Sequence, residues 1–233
     1  MLRKNAYDVK DKIKPAHVLV SVFDKTGLDA LIPGLLRVNP DIMFYSTGGT
    51  GKKIVEILGA NAEKNYMPVE VFTGAPEMEG GLVKTLHPKI HSGLLAERGN
   101  PAHIEYLEKT MAQFGKGPGF FFDILVSNLY PFSSTVAKAD ATAETARINI
   151  DIGGPGMTMA AAKNWHSVSV LTDPDQYKHF LEDLEHFGFV SAKLRFDLAR
   201  FAFGAVGKYR SEIGEYFMNL KFDRDALPTI NLV

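Results

Sequence analysis

The chain has 233 residues, 45% of them hydrophobic and 23% charged, and a formal net charge of −1; this is the balance of one globular domain and lacks the basic excess of a nucleic-acid binder. It contains no cysteine, which excludes disulfides, thiolate zinc sites and cysteine nucleophiles. The N-terminal MLRKNAYDVKDKIKPA is polar, and no apolar run nears the roughly 20 residues of a membrane span, so a cytoplasmic protein without membrane contact is expected.

Residues 1–15 read as a tail or an added surface segment. His17 to Phe23 (HVLVSVF) is a β-branched run closed by the turn-like DKTG. Leu28, Leu31, Ile32, Leu35 and Leu36 then recur at helical spacing, although Pro33 and Gly34 weaken that helix. Asp41 to Ser46 (DIMFYS) is a second strand that enters a glycine turn and a helix carrying Ile54, Val55 and Leu58. Met67 to Phe72 (MPVEVF) is read as a third short strand. The following TGAPEMEGGLVKTLHPKIHSGLLAERG holds too many turn residues for one regular element and reads as a functional loop.

Pro101 to Phe114 predicts a helix with proline in its first turn. FFFDILVSNLY is the strongest strand, apolar enough for burial on both faces. After ETARINIDIGG come an alanine-rich helix (PGMTMAAAKNW), the strand SVSVLTD, a helix entered through Asp173 and Pro174, and a long helix with Leu194, Leu198, Phe201 and Ala205 on one side. The resulting division is a tail over 1–15, one domain over 16–220 with C-terminal helices from about 174, and a tail over 221–233. Alternating strands and helices predict a three-layer α/β/α fold with a mainly parallel sheet. Ligands of such sheets bind beyond the carboxyl ends of the strands.

Several segments fall at that edge. STGGT (Ser46, Thr47, Gly48, Gly49, Thr50) can curl its backbone and offer N–H groups to a phosphate at a helix N-terminus, though a capped tight turn has the same pattern. Asp24 and Lys25 follow the first strand. Lys84, Thr85, His87, Lys89 and His91 share the glycine-rich loop; two histidines four apart do not complete a metal site, and Pro88 argues against a regular helix there, so no metal is expected. Ser127, Asn128 and Tyr130 end the most buried strand. Asp151 precedes Ile152, Gly153 and Gly154, whose glycines permit close approach to a planar ligand. Lys163, near a helix end, has a plain alternative role beside the helix dipole.

Taken together and in order, SVFDKTG, STGGT, FTGAPEMEGGLVKTLHPKIHSGLL, NLYPF and NIDIGGPGMTMAAAKN resemble the IMP cyclohydrolase domain of the bifunctional purine-biosynthesis protein. The resemblance runs from about His17 to Phe217 and implies a methylglyoxal-synthase-like fold, here as a stand-alone chain paired with a separate transformylase. It implies dehydrative closure of 5-formamido-4-imidazolecarboxamide ribonucleotide to IMP, without a cofactor, by a homodimeric enzyme. By matched position, Ser46, Thr47, Gly48, Gly49 and Thr50 would hold the 5′-phosphate, supported by Asp24 and Lys25. Lys84 and Thr85 would contact the ligand, with Lys84 near the formyl oxygen. Ser127, Asn128, Asp151, Ile152, Gly153 and Gly154 would surround the base. Lys163 matches the family's proton-transfer lysine, with Tyr130 and Asp151 orienting or relaying protons.

Two positions depart from the family's usual pattern. Its SVSDKTG is SVFDKTG here, with Phe23 at the second serine, and its GRVKTLHP is GLVKTLHP, with Leu82 at the arginine. Leucine cannot reproduce a planar guanidinium fork. Other readings are a purine-nucleotide-binding regulatory domain without turnover and a methylglyoxal-synthase-like lyase; the latter leaves the base-side motifs unexplained.

Overall fold

The computed structural model describes residues 5–76, 78–79 and 83–231. Among them, strands β1 (His17–Val22), β2 (Met43–Ser46), β3 (Tyr66–Pro68), β4 (Ile124–Asn128) and β5 (Ser169–Leu171) form one sheet. Every neighbouring pair is parallel, in the order β3-β2-β1-β4-β5. The helices are α1 (Leu28–Val38), α2 (Gly48–Leu58), α3 (Ala62–Asn65), α4 (Val69–Thr73), α5 (Pro88–Leu95), α6 (Pro101–Glu105), α7 (Phe132–Val136), α8 (Ala143–Ile148), α9 (Gly153–Lys163), α10 (Asp175–Phe187) and α11 (Ala192–Met218). None of the described helices is long and apolar enough to cross a membrane.

Alternate side chains of each strand feed opposite layers. Val18, Val20 and Val22 of β1 pack with Leu31 and Leu35 of α1, Ile54 of α2 and Phe180 of α10. Leu19, Leu125 and Val170 pack on the other face with Ile90 of α5, Met157 and Ala161 of α9, and Ala199 and Ala202 of α11. Burial on both faces explains why these strands read as apolar runs rather than alternating ones. The predicted three-layer arrangement is the one observed.

The sheet order carries a consequence for the site. The chain moves outward from β1 to β3 and then returns to lay β4 against the other side of β1. Connections on the two sides therefore leave from opposite faces at the carboxyl ends of β1 and β4, the switch point at which ligands of such sheets bind.

The sequence reading needs three corrections. The segment Met67 to Phe72 is a strand only to Pro68; from Val69 it is α4, which buries Val69, Phe72 and Thr73 at helical spacing. So short a run fits either period, and packing decides. The supposed loop contains α5, with Pro88 in its first turn and His87 as its cap, accepting the Lys89 amide on Nδ1 at 3.1 Å. Proline is suited to that position, where its missing N–H is not needed. The predicted helix α1 forms and continues through Pro33, and Gly34 is what lets α10 approach: a Cβ there would lie 2.6 Å from Leu181 Cδ2. Lastly, the N-terminal tail is strapped down, with Ile13 buried and paired antiparallel to Val190.

Candidate active site at the carboxyl edge of the sheet

The turn after β2 leads directly into α2. Thr47 is extended and Gly48, the first helical residue, has φ +50°, a left-handed value that favours glycine. The Thr47 hydroxyl makes no cap on α2. The turn is fixed from beneath. Tyr66 donates its hydroxyl to the Ser46 carbonyl at 3.3 Å, in space that a side chain at Gly51 would occupy. Thr50 donates to the Val22 carbonyl at 2.9 Å and so binds α2 to the end of β1. Its hydroxyl serves the fold, rather than a phosphate as expected.

Lys84 reaches this turn from the loop before α5. Its Nζ lies 3.3 Å from where a Cβ at Gly48 would be. The adjoining Thr85 is buried and crosses to α9, its Oγ1 2.7 Å from the Cβ position of Gly153. One loop thus joins the glycine turn after β2 to the first turn of α9; close approach of Thr85 requires glycine at 153, while at 48 it is the positive φ that favours it. Leu82 falls outside the described residues.

Asp151 stands just before α9. Its Oδ1 accepts the Gly154 amide at 2.9 Å, and its own amide donates to the Tyr209 hydroxyl of α11 at 2.7 Å. Burial raises the carboxyl above the ordinary carboxylate range, and amide hydrogen bonds from Gly154 and Gly153 only partly offset this. Ile152 is exposed at the entrance. Beyond β4, half-exposed Tyr130 meets half-exposed Phe23 from the end of β1, with ring centroids 5.0 Å apart.

Other expected contacts are redirected. Asn128 uses both ends of its amide on the Asp24 backbone, accepting from its N–H at 2.9 Å and donating to its carbonyl at 2.7 Å. Ser127 is fully buried and accepts a hydrogen bond from Thr158 at 3.1 Å. These two residues brace the crevice and leave its surface to others. Asp24 accepts from the amide and hydroxyl of Thr26, which hold its carboxyl below the usual range. Lys25 donates to the Phe23 carbonyl at 3.1 Å.

Lys163 requires a correction. It closes α9, whereas Gly153 opens it at the crevice. The ten-residue step between them is about 15 Å of helix. Lys163 is exposed, and the next residue, Asn164, donates to the carbonyls of Leu94 and Ala96 at the opposite edge of the sheet. A parallel crossover helix starts at one sheet edge and ends at the other, so both lysines cannot flank one ring within this chain. Lys163 retains its place beside the negative end of the helix dipole.

Lys89, from the same loop motif, is a structural cation. It is fully buried, donates to the carbonyls of Phe114, Lys116 and Gly117, and lies 4.4 Å from the Phe72 ring centroid. Among the described residues, no group of three or more His, Cys, Asp or Glu is placed to hold a metal ion. Sequence reasoning missed Tyr66, Thr158 and Tyr209. Each acts through one hydroxyl across a tertiary contact, and no local pattern marks it.

The AICARFT/IMPCHase bienzyme family matches residues 161–232. The bifunctional purine biosynthesis protein PurH of Magnetococcus marinus is 44% identical over 218 residues, covering 93% of this chain and 38% of that protein. PurH of a Synechococcus species is 44% identical over 216 residues, or 92% and 39%. Among solved structures, the crystal structure of ForH superposes with a TM-score of 0.68 at 29% identity, covering 87% of this chain and 99% of that one. The chain spans about two-fifths of the length of these curated relatives, and over that span it is similar to them.

Proposed function

We propose that this chain is an IMP cyclohydrolase that closes the six-membered ring of 5-formamido-4-imidazolecarboxamide ribonucleotide. The observation carrying this reading is the loop that sets Lys84 beside Gly48 and Thr85 against Gly153. It ties the glycine turn that opens α2 to the first turn of α9.

In this reading the 5′-phosphate lies on the N-terminal amides of α2, where the helix dipole favours an anion. The imidazole lies toward Gly153 and Gly154. Its carboxamide nitrogen attacks the formyl carbon, forming a C–N bond and a carbinolamine. Because both groups sit on one ring, orientation supplies much of the acceleration. Lys84 offsets negative charge on the formyl oxygen as the carbinolamine forms. Asp151 accepts the proton from the attacking nitrogen, and its burial-raised basicity suits that task. Tyr130 passes a proton to the oxygen. Loss of that hydroxyl with a proton from the neighbouring ring-bound nitrogen gives water and a C=N bond. No redox partner or hydride donor enters the balance. The substrate's formyl group is supplied by a transformylase reaction, and a homodimer is the expected assembly.

The test is to add the formylated ribonucleotide and follow the ultraviolet change as the purine forms. Turnover by the unmodified chain, lost in Lys84→Met, is the expected result. Tight IMP binding with no absorbance change would select the regulatory reading instead.

A further inference from the structure

The residues at the crevice mouth show how a base would be recognised. Ser127 and Asn128, the polar side chains nearest the end of β4, are committed to Thr158 and to the Asp24 backbone. A base edge would find few hydrogen-bonding partners in them. A pair of aromatic faces is available instead. Phe23 and Tyr130 are each 49% exposed, and their rings meet at 5.0 Å and 52°.

The backbones beneath these rings are pinned. Asp24 and Asn128, next to Phe23 and close before Tyr130, exchange hydrogen bonds of 2.9 and 2.7 Å across the β1–β4 seam. Val22, on the other side of Phe23, accepts the Thr50 hydroxyl from the phosphate turn. The aromatic surface is therefore held at a fixed distance from the place where a phosphate would sit. A single exposed phenylalanine needs no explanation, but a braced pair at a ligand crevice does.

We propose that Phe23, backed by Tyr130, is a specificity-determining residue that stacks on the planar base of the bound nucleotide. This rests on the nucleotide reading of the site given above. Stacking reads the face of a heteroaromatic ring and tolerates changes along its edge. The chain should then select for a planar base over a bare sugar phosphate while discriminating weakly among purine edges.

The experiment is titration calorimetry with IMP, GMP and ribose 5-phosphate on the full chain and on Phe23→Ala, Phe23→Trp and the surface control Phe201→Ala. Base stacking corresponds to about a 5- to 100-fold effect on affinity. Phe23→Ala is expected to weaken IMP and GMP by that factor and leave ribose 5-phosphate unchanged, while Phe23→Trp and Phe201→Ala retain IMP affinity. If Phe23→Ala leaves IMP affinity intact, or weakens ribose 5-phosphate equally, the stacking role is overturned even with normal turnover. Phe23-dependent IMP binding without ring closure would uphold the stacking role and overturn the enzyme assignment. Failure of the unmodified chain to bind any nucleotide would overturn both.

Discussion

The ammonium of Lys84 lies 3.3 Å from the point at which a side chain on Gly48 would begin. Lys84 comes from the loop before α5 and Gly48 opens α2, and a Cβ on Gly48 would crowd the ammonium. Gly48 also sits at φ +50°, where an L-residue is strained by about 1–2 kcal/mol.

Gly48→Ala should therefore do two things. It should lower stability by about 1–2 kcal/mol from backbone strain, read by urea unfolding. It should also push the Lys84 ammonium off the turn and weaken IMP by about ten-fold or more, the scale of one charge-assisted hydrogen bond. A variant that melts and binds like the parent would show that Lys84 does not work at this turn.

Asp151 links function to pH-dependent stability. Burial raises its folded carboxyl above its unfolded value, so the fold favours the protonated form. That contribution is complete below about pH 3.9, the unfolded value, and is lost as pH rises through the raised folded value. Asp151→Asn keeps an acceptor for the Gly154 amide and removes the titration. Its melting temperature at pH 7 should exceed that of the parent, and the difference should close toward pH 4. Turnover should fall by about 100-fold or more if Asp151 accepts the substrate proton. Equal melting curves at every pH would refute the burial argument, and retained turnover would refute the catalytic one.

Arg195 tests the far side of the molecule. Its side chain is fully buried and donates to the carbonyls of Lys10, Asp11, Trp165, His166 and Val190, with burial pulling its ionisation down to about 10. Arg195→Met strands these acceptors and should cost about 3 kcal/mol or more by urea unfolding. Arg195→Lys should rescue little, because one ammonium cannot reproduce a five-donor planar fork. Turnover per folded molecule should be unchanged, since the cluster lies away from the crevice. Near-parental stability in Arg195→Met would show that water can replace the guanidinium.

The alternation of buried runs with amphipathic helices is set by side-chain period, which is a local property. The sequence therefore sufficed for the layered parallel sheet and for placing the glycine turn at Gly48 after β2 and Tyr130 after β4. Local pattern failed at Met67 to Phe72 and at Pro88, where short runs satisfy two periods and only packing of Val69, Phe72 and Ile90 chooses between them. It also failed for Lys163, because a motif gives separation along the chain and not which end of α9 faces the crevice. Tertiary structure alone decided that Ser127 and Asn128 brace the crevice, that Phe23 meets Tyr130, and that Tyr66 and Tyr209 hold the turns in place. Each of those roles is one directional contact between residues distant in sequence, and nothing in a residue's neighbours along the chain encodes its partner across space.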